Sequence, residues 1–159
     1  MDQGTFETLL TAFTIAVERD GGDALAGLFT ADGVYHDVFY GAFQGREKIA
    51  EMLENHFWVH GELYRWEMHQ PIVSGDIGYA HWTFSFTSKL PKVAGKRIVW
   101  DGMSRFQLQG GLIAHYQEMF DISIALTQTE FSGDRIARIA AKHVERLRSR
   151  EAGGIHLSD

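Results

Sequence analysis

The chain has 159 residues, 45% of them hydrophobic and 13% aromatic, with no cysteine and a formal charge of -6. That is enough apolar surface for the core of one domain, and it excludes disulfides, thiolate nucleophiles and cysteine-based metal sites as well as a general affinity for polyanions. No run of about eighteen apolar residues occurs, and Asp2 stands where a leader would carry cations, so no membrane span or signal peptide is expected and the chain reads as cytoplasmic.

In the first segment Phe6, Leu9, Leu10, Phe13 and Val17 recur at helical spacing, and Asp20-Gly21-Gly22 stops them. This predicts an amphipathic helix over 6–19. Asp23 is placed to cap a short second helix over 23–29. The run LFTADGVYHDVFYGAFQGR then turns from helix to strand over 32–40. There a period of two puts Gly33, Tyr35, Asp37 and Phe39 on one face and Val34, His36 and Val38 on the other. After a Gly-flanked linker over 41–45, a third helix is predicted over 46–59, with Gly61 as its C-terminal cap.

From residue 62 the period changes. The segments 62–73, 77–89, 96–109 and 112–121 are rich in aromatic and β-branched residues and are separated by turn residues such as Ser74-Gly75-Asp76 and Gly110-Gly111. They predict an antiparallel meander. Helices first and a meander after define an α+β domain in which one curved, mostly antiparallel sheet wraps around the N-terminal helices and leaves a cavity between them. A last helix follows Ser132, with Ile136, Ile139, Ala140, Val144 and Leu147 along one side and Arg135, Arg138, Lys142, Arg146 and Arg148 along the other. The organisation expected is one domain over 1–131, an extra C-terminal helix over 132–152 that docks on it or flanks a dimer, and a loose tail over 153–159.

Alternation along the strands proposes the lining of that cavity. Trp82, Phe84 and Phe86 come from one strand, Trp100, Gly102, Ser104 and Phe106 from the next, and Tyr116, Glu118 and Phe120 from the last. Phe13, Val17, Phe39, Phe57 and Trp66 complete the expected wall. Two acids, Asp37 and Glu118, then share a ring-lined cup. Burial disfavours their charged forms, and two carboxylates in one site push each other's protonation apart, leaving one as base and one as acid. Tyr35 and Tyr116 are candidate donors to a developing enolate. His81 is offset by one from the inward residues and joins Asp37 only if its strand is bulged. His56 and His60 stand four apart on the third helix without an accompanying HExxH glutamate or cysteine, so no metal is expected.

The order helix, helix, LFTADGVYHD, GREKI helix, then four strands ending in GGLIAHYQEMFD resembles the SnoaL-like and ketosteroid isomerase-like branch of the nuclear transport factor 2-like superfamily, over roughly residues 6–121. The resemblance implies a cystatin-like cone around one pocket, homodimers through the outer sheet face, and an isomerase, cyclase, dehydratase, epoxide hydrolase or non-catalytic binder. It places Asp37 where the isomerases keep their general base. Where those enzymes carry a tyrosine on the first helix and a protonated Asp on the next-to-last strand, this chain has Phe13 or Thr14 and Gly102, with Asp101 one residue away.

Two functions are therefore expected. One is cofactor-independent proton transfer (isomerisation, cyclisation or dehydration) on a small apolar carbonyl or cyclic compound. The other is a dimeric module of the same fold that holds a small hydrophobic ligand without changing it. Neither involves a cofactor, a nucleic acid or a membrane.

Overall fold

A computed structural model describes residues 1–150 and 154–157, so the end of the expected tail lies outside the described residues. Helix α1 (Gln3–Ile15) starts where the Asp2 carboxylate accepts the Thr5 amide at 2.9 Å, and its buried stripe is Phe6, Leu9, Leu10 and Phe13. A π-helical turn (Ala16–Asp20) carries it to Gly21, whose φ of 100° favours glycine. That glycine, not Asp23, is the N-cap of α2 (Gly22–Gly27).

Strand β1 (Phe29–Asp37) is followed by β2 (Gly41–Gln44), α3 (Arg46–Met52) with a π-helical extension to Phe57, β3 (Gly61–Ser74), β4 (Ile77–Ser88), β5 (Arg97–Gln109), β6 (Leu112–Met119), α4 (Ile122–Gln128) and α5 (Gly133–Ser149). The six strands form one curled sheet in the order β2-β1-β6-β5-β4-β3, antiparallel except for β1 against β6. Its curl has a local cause. β3 slips register against β4 between Glu62 and Arg65 and again between His69 and Ile72, with Leu63 and Gln70 at positive φ inside the two bulges.

Four expectations about elements are corrected. The opening strand runs over Phe29–Asp37, and residues 38–40 are its turn. The supposed linker over 41–45 is mostly a strand, β2, which folds back so that Tyr35 faces Phe43 and Asp37 faces Gly41. Residues 120–121 leave the last strand, and Asp121 caps α4 by accepting the Ser123 amide at 2.8 Å. Gly61 likewise opens β3 and caps nothing; a Cβ there would stand 2.4 Å from the Phe86 ring.

The largest correction concerns the space between helices and sheet, which is filled. Phe13 lies against Tyr116, Trp66, Phe106 and Tyr35 at ring-centroid distances of 4.9, 5.3, 5.7 and 6.1 Å, and it has no exposed surface. Rings at these spacings interlock as a core and not as a cup. Val17 is buried beside them, with its carbonyl accepting the Trp58 indole N–H at 3.0 Å. Neither residue lines a cavity. Among the described residues no helix is long and apolar enough to cross a membrane.

Candidate functional site

Room opens toward the end of the cone, where β1 and β6 finish side by side. Tyr35 is level with Tyr116 and His36 with Gln117, and this parallel register brings Asp37 beside Glu118. Both carboxyls are buried, Asp37 at 1% and Glu118 at 8% exposure. Asp37 Oδ1 accepts the Phe39 and Tyr40 amides, each at 2.7 Å, in the turn between β1 and β2. Burial pushes the Asp37 carboxyl up to about 6, while those two amides, a hydrogen bond from Glu118 and the Arg146 charge pull it back. Burial and the Asp37 charge drive Glu118 well above the usual carboxylate range, although the Tyr116 hydroxyl and the Val38 amide, which both donate to it, pull it back. With burial raising both carboxyls and the charge of Asp37 raising Glu118 further, the pair retains a proton at a pH where free carboxyls have released theirs.

A chain of side chains backs Glu118. The Trp82 indole donates to Ser104 Oγ at 2.8 Å, Ser104 and Tyr116 lie 2.9 Å apart, and Tyr116 donates to Glu118 Oε2 at 2.9 Å. Tyr116 donates its one proton to Glu118, which leaves the Ser104 hydroxyl to donate to Tyr116, so the series runs toward Glu118. Tyr116 has thus committed its single hydroxyl proton and is not a free donor to a substrate. Ser104 is buried within the same series and lines no cavity. Gly102 is the seat of Trp82, since a Cβ there would stand 2.4 Å from the indole ring. Where the isomerase pattern keeps an acid, this chain has a tryptophan ring lying across the strand.

Beyond the carboxyls is a hollow of about 30 Å³, close to one water's share of liquid volume. Its wall contains Asp37, Glu118, Phe39, Phe57, Trp66, Trp82, Phe84, Trp100 and Phe120. Two of the residues in this wall, Trp66 and Trp100, have buried indole N–H groups that make no hydrogen bond. The buried Tyr35 hydroxyl is also unpaired, but the Tyr35 ring packs against Tyr116, tilted with centroids 4.5 Å apart, and is not part of the wall. Adjoining the hollow across Phe39 and Trp100 lies an open vestibule of about 690 Å³, which takes in Phe86 and is bordered by α4 and α5. A cleft of about 340 Å³ under α5, which shares His143 and Arg146 with the vestibule, also reaches Asp37 and Glu118.

His81 does not join Asp37. It lies on the outer face of the sheet with its Nε2 3.5 Å from an Asp101 carboxylate oxygen, because no bulge interrupts β4 against β5. His60 uses its ring to bond the His56 carbonyl at 2.7 Å.

The sequence pattern gives His143 no role and puts Arg146 on the solvated side of the last helix. In the structure the inward row of α5 is Ile136, Ile139, Ala140, His143 and Arg146, all half-buried, while Val144 and Leu147 are 49% and 58% exposed. Arg146 Nη1 donates to the Val38 carbonyl at 3.2 Å. Rows ending in 143 and 146 or in 144 and 147 are neighbours on a helix, and only the docking angle chooses between them.

The carboxyl pair sets an expected pH dependence. Both groups titrate above their unfolded range near 4, so the native state keeps protons that the unfolded chain has released. The stability they contribute is complete below that range and is lost as pH rises through about 6 and beyond. Thermal melts of the protein and of Glu118→Gln, compared from pH 5 to pH 8, should show the native protein losing ground to the variant by up to about 1.4 kcal/mol per pH unit for each retained proton. A difference that does not change with pH would contradict the retained-proton assignment.

Residues 10–116 match the model of the SnoaL-like domain. Several solved structures share the fold. A hypothetical protein with a ketosteroid isomerase-like fold from Catenulispora acidiphila, solved in complex with trimethylamine, is 23% identical with a TM-score of 0.71, covering 79% of this chain and 95% of that one. TsrD from Streptomyces laurentii is 19% identical with a TM-score of 0.68, covering 80% and 96%. An LEH-like epoxide hydrolase from M. tuberculosis is 16% identical with a TM-score of 0.64, covering 79% and 89%. At these identities the likeness is one of fold. No curated protein sequence matches the chain significantly.

Proposed function

Because the chain belongs to the SnoaL-like domain family, we propose that it is a cofactor-independent acid–base enzyme acting on a small, largely apolar carbonyl or cyclic compound. The observation that carries this reading is the pair of buried carboxyls, Asp37 and Glu118, set side by side by the β1–β6 register, with the Trp82–Ser104–Tyr116 series directed at Glu118. Asp37 removes a proton from carbon next to a carbonyl or from a water, and Glu118 returns one. The unspent indole N–H groups of Trp66 and Trp100 receive the substrate oxygen as charge builds on it. Phe39 sits in the turn that follows Asp37, so its ring has to swing aside for a substrate to pass from vestibule to hollow. An epoxide hydrolase among the proteins of like fold is consistent with carboxyl-driven chemistry on such a scaffold. Val99, Met103 and Met119 are exposed on the outer sheet face and support pairing of two copies there.

The small size of the hollow favours a second reading, in which a ligand occupies the vestibule and is never transformed. Incubation with a panel of cyclic ketones and lactones in deuterium oxide, followed by mass spectrometry, separates the two. The enzyme reading expects a changed product mass or faster deuterium uptake next to a carbonyl for at least one compound. Compounds that raise the thermal midpoint yet show neither would leave only the binding module.

A further inference from the structure

The vestibule differs in charge from the rest of the molecule. The chain as a whole carries -6, yet Lys92, Arg135, Lys142 and Arg146 all line this space, and the one carboxylate among the lining residues, Glu130, is already paired with Lys96. Two of the cations are held in place: the Arg135 guanidinium lies 3.9 Å from the centre of the Phe131 ring, and Arg146 is anchored on the Val38 carbonyl. Three of the four come from α5, which lies wholly beyond the 10–116 stretch matched to the family. The opposite wall is aromatic, built from Phe39, Phe86 and Trp100.

A pocket with rings on one side and a surplus of cations on the other, even with Arg146 also facing Asp37 and Lys92 also facing Glu130, fits a ligand with two unlike ends. Charges at the wall of a low-dielectric cleft concentrate the field there and draw in the opposite sign, and a guanidinium pairs best with planar oxyanions. We propose that the vestibule binds an aromatic or polycyclic acid, its ring system against Trp100, Phe86 and Phe39 and its carboxylate or ionised phenol against Arg146 and Lys142, so that the appended helix selects the substrate. This rests on the proposed function for its meaning as substrate choice; the binding itself is independent of turnover.

The test uses the full chain, with 2-naphthoate and its methyl ester as probes in calorimetric titrations. Naphthoate is expected to bind about tenfold or more tightly than the ester, a preference that shrinks as salt is raised. Arg146→Gln combined with Lys142→Gln should remove the preference while leaving ester binding unchanged, and Arg146→Lys with native Lys142 should keep most of it. Lys142→Gln alone, a change on the exposed part of the helix, gives the same comparison if the double variant does not fold. Equal affinity for acid and ester, a preference that survives the double change, or failure of both probes to bind would overturn the proposal. Loss of deuterium exchange in the panel experiment with the acid preference intact would remove the enzyme reading and leave this one standing.

Discussion

Replacing Asp37 by Asn should lower turnover of any compound the protein transforms by about 10²- to 10⁴-fold, the usual contribution of a general base, while the thermal midpoint stays within a few degrees. The two halves of this expectation have separate causes. Asn has the same shape, and its side-chain oxygen can still accept the Phe39 and Tyr40 amides that Asp37 accepts at 2.7 Å. What is lost is a group that exchanges a proton near neutrality, for which an amide offers no substitute. Removing a buried charge also relieves a desolvation cost, which offsets the weaker hydrogen bonds of a neutral acceptor. Full activity in the Asn variant would show that Asp37 only ties down the β1–β2 turn. A collapse of stability together with activity would show that its backbone contacts, and not its proton, are what the fold needs.

The largest effect on stability is expected at Phe13. Truncation to Ala should cost about 3–5 kcal/mol, which for a chain of this length is a fall in thermal midpoint on the order of 10 °C. The reason is that Phe13 is fully buried with five rings within 6.4 Å of its own, contributed by four different strands, so the gap left behind has no flexible neighbour to fill it. Urea unfolding of the variant measures this directly. A loss below about 1 kcal/mol would mean that the ring faces open space, as expected of a pocket wall, and that the tightly filled interior is wrong.

Much of the architecture was readable in the residues because it rests on local periodicity. The α1 stripe of Phe6, Leu9, Leu10 and Phe13 is buried as its spacing requires, and the alternation through Gly33, Tyr35 and Asp37 gives β1 its buried face. The meander from Gly61 to Met119 followed from long aromatic and β-branched runs broken by turn residues. Elements that draw their stability from a neighbour were harder to see. Strand β2 is four residues long and exists because β1 presents an edge to it, and α4 is seven residues long and begins at an acid that could equally have ended a strand.

For the candidate site, the sequence by itself determined which side chains share a face: the strict period of two along β1 and β6 is enough to put Asp37 and Glu118 on the inner surface. Three things were decided only by tertiary structure. The distance between those acids depends on a parallel pairing of β1 with β6 across 80 residues of chain, which no local pattern encodes. The volume left beside them, about 30 Å³, is a small difference between large ring volumes contributed by several elements. The inward turn of Arg146 depends on the angle at which α5 docks, because adjacent rows of one helix carry equally plausible apolar stripes and contacts with the cone choose between them.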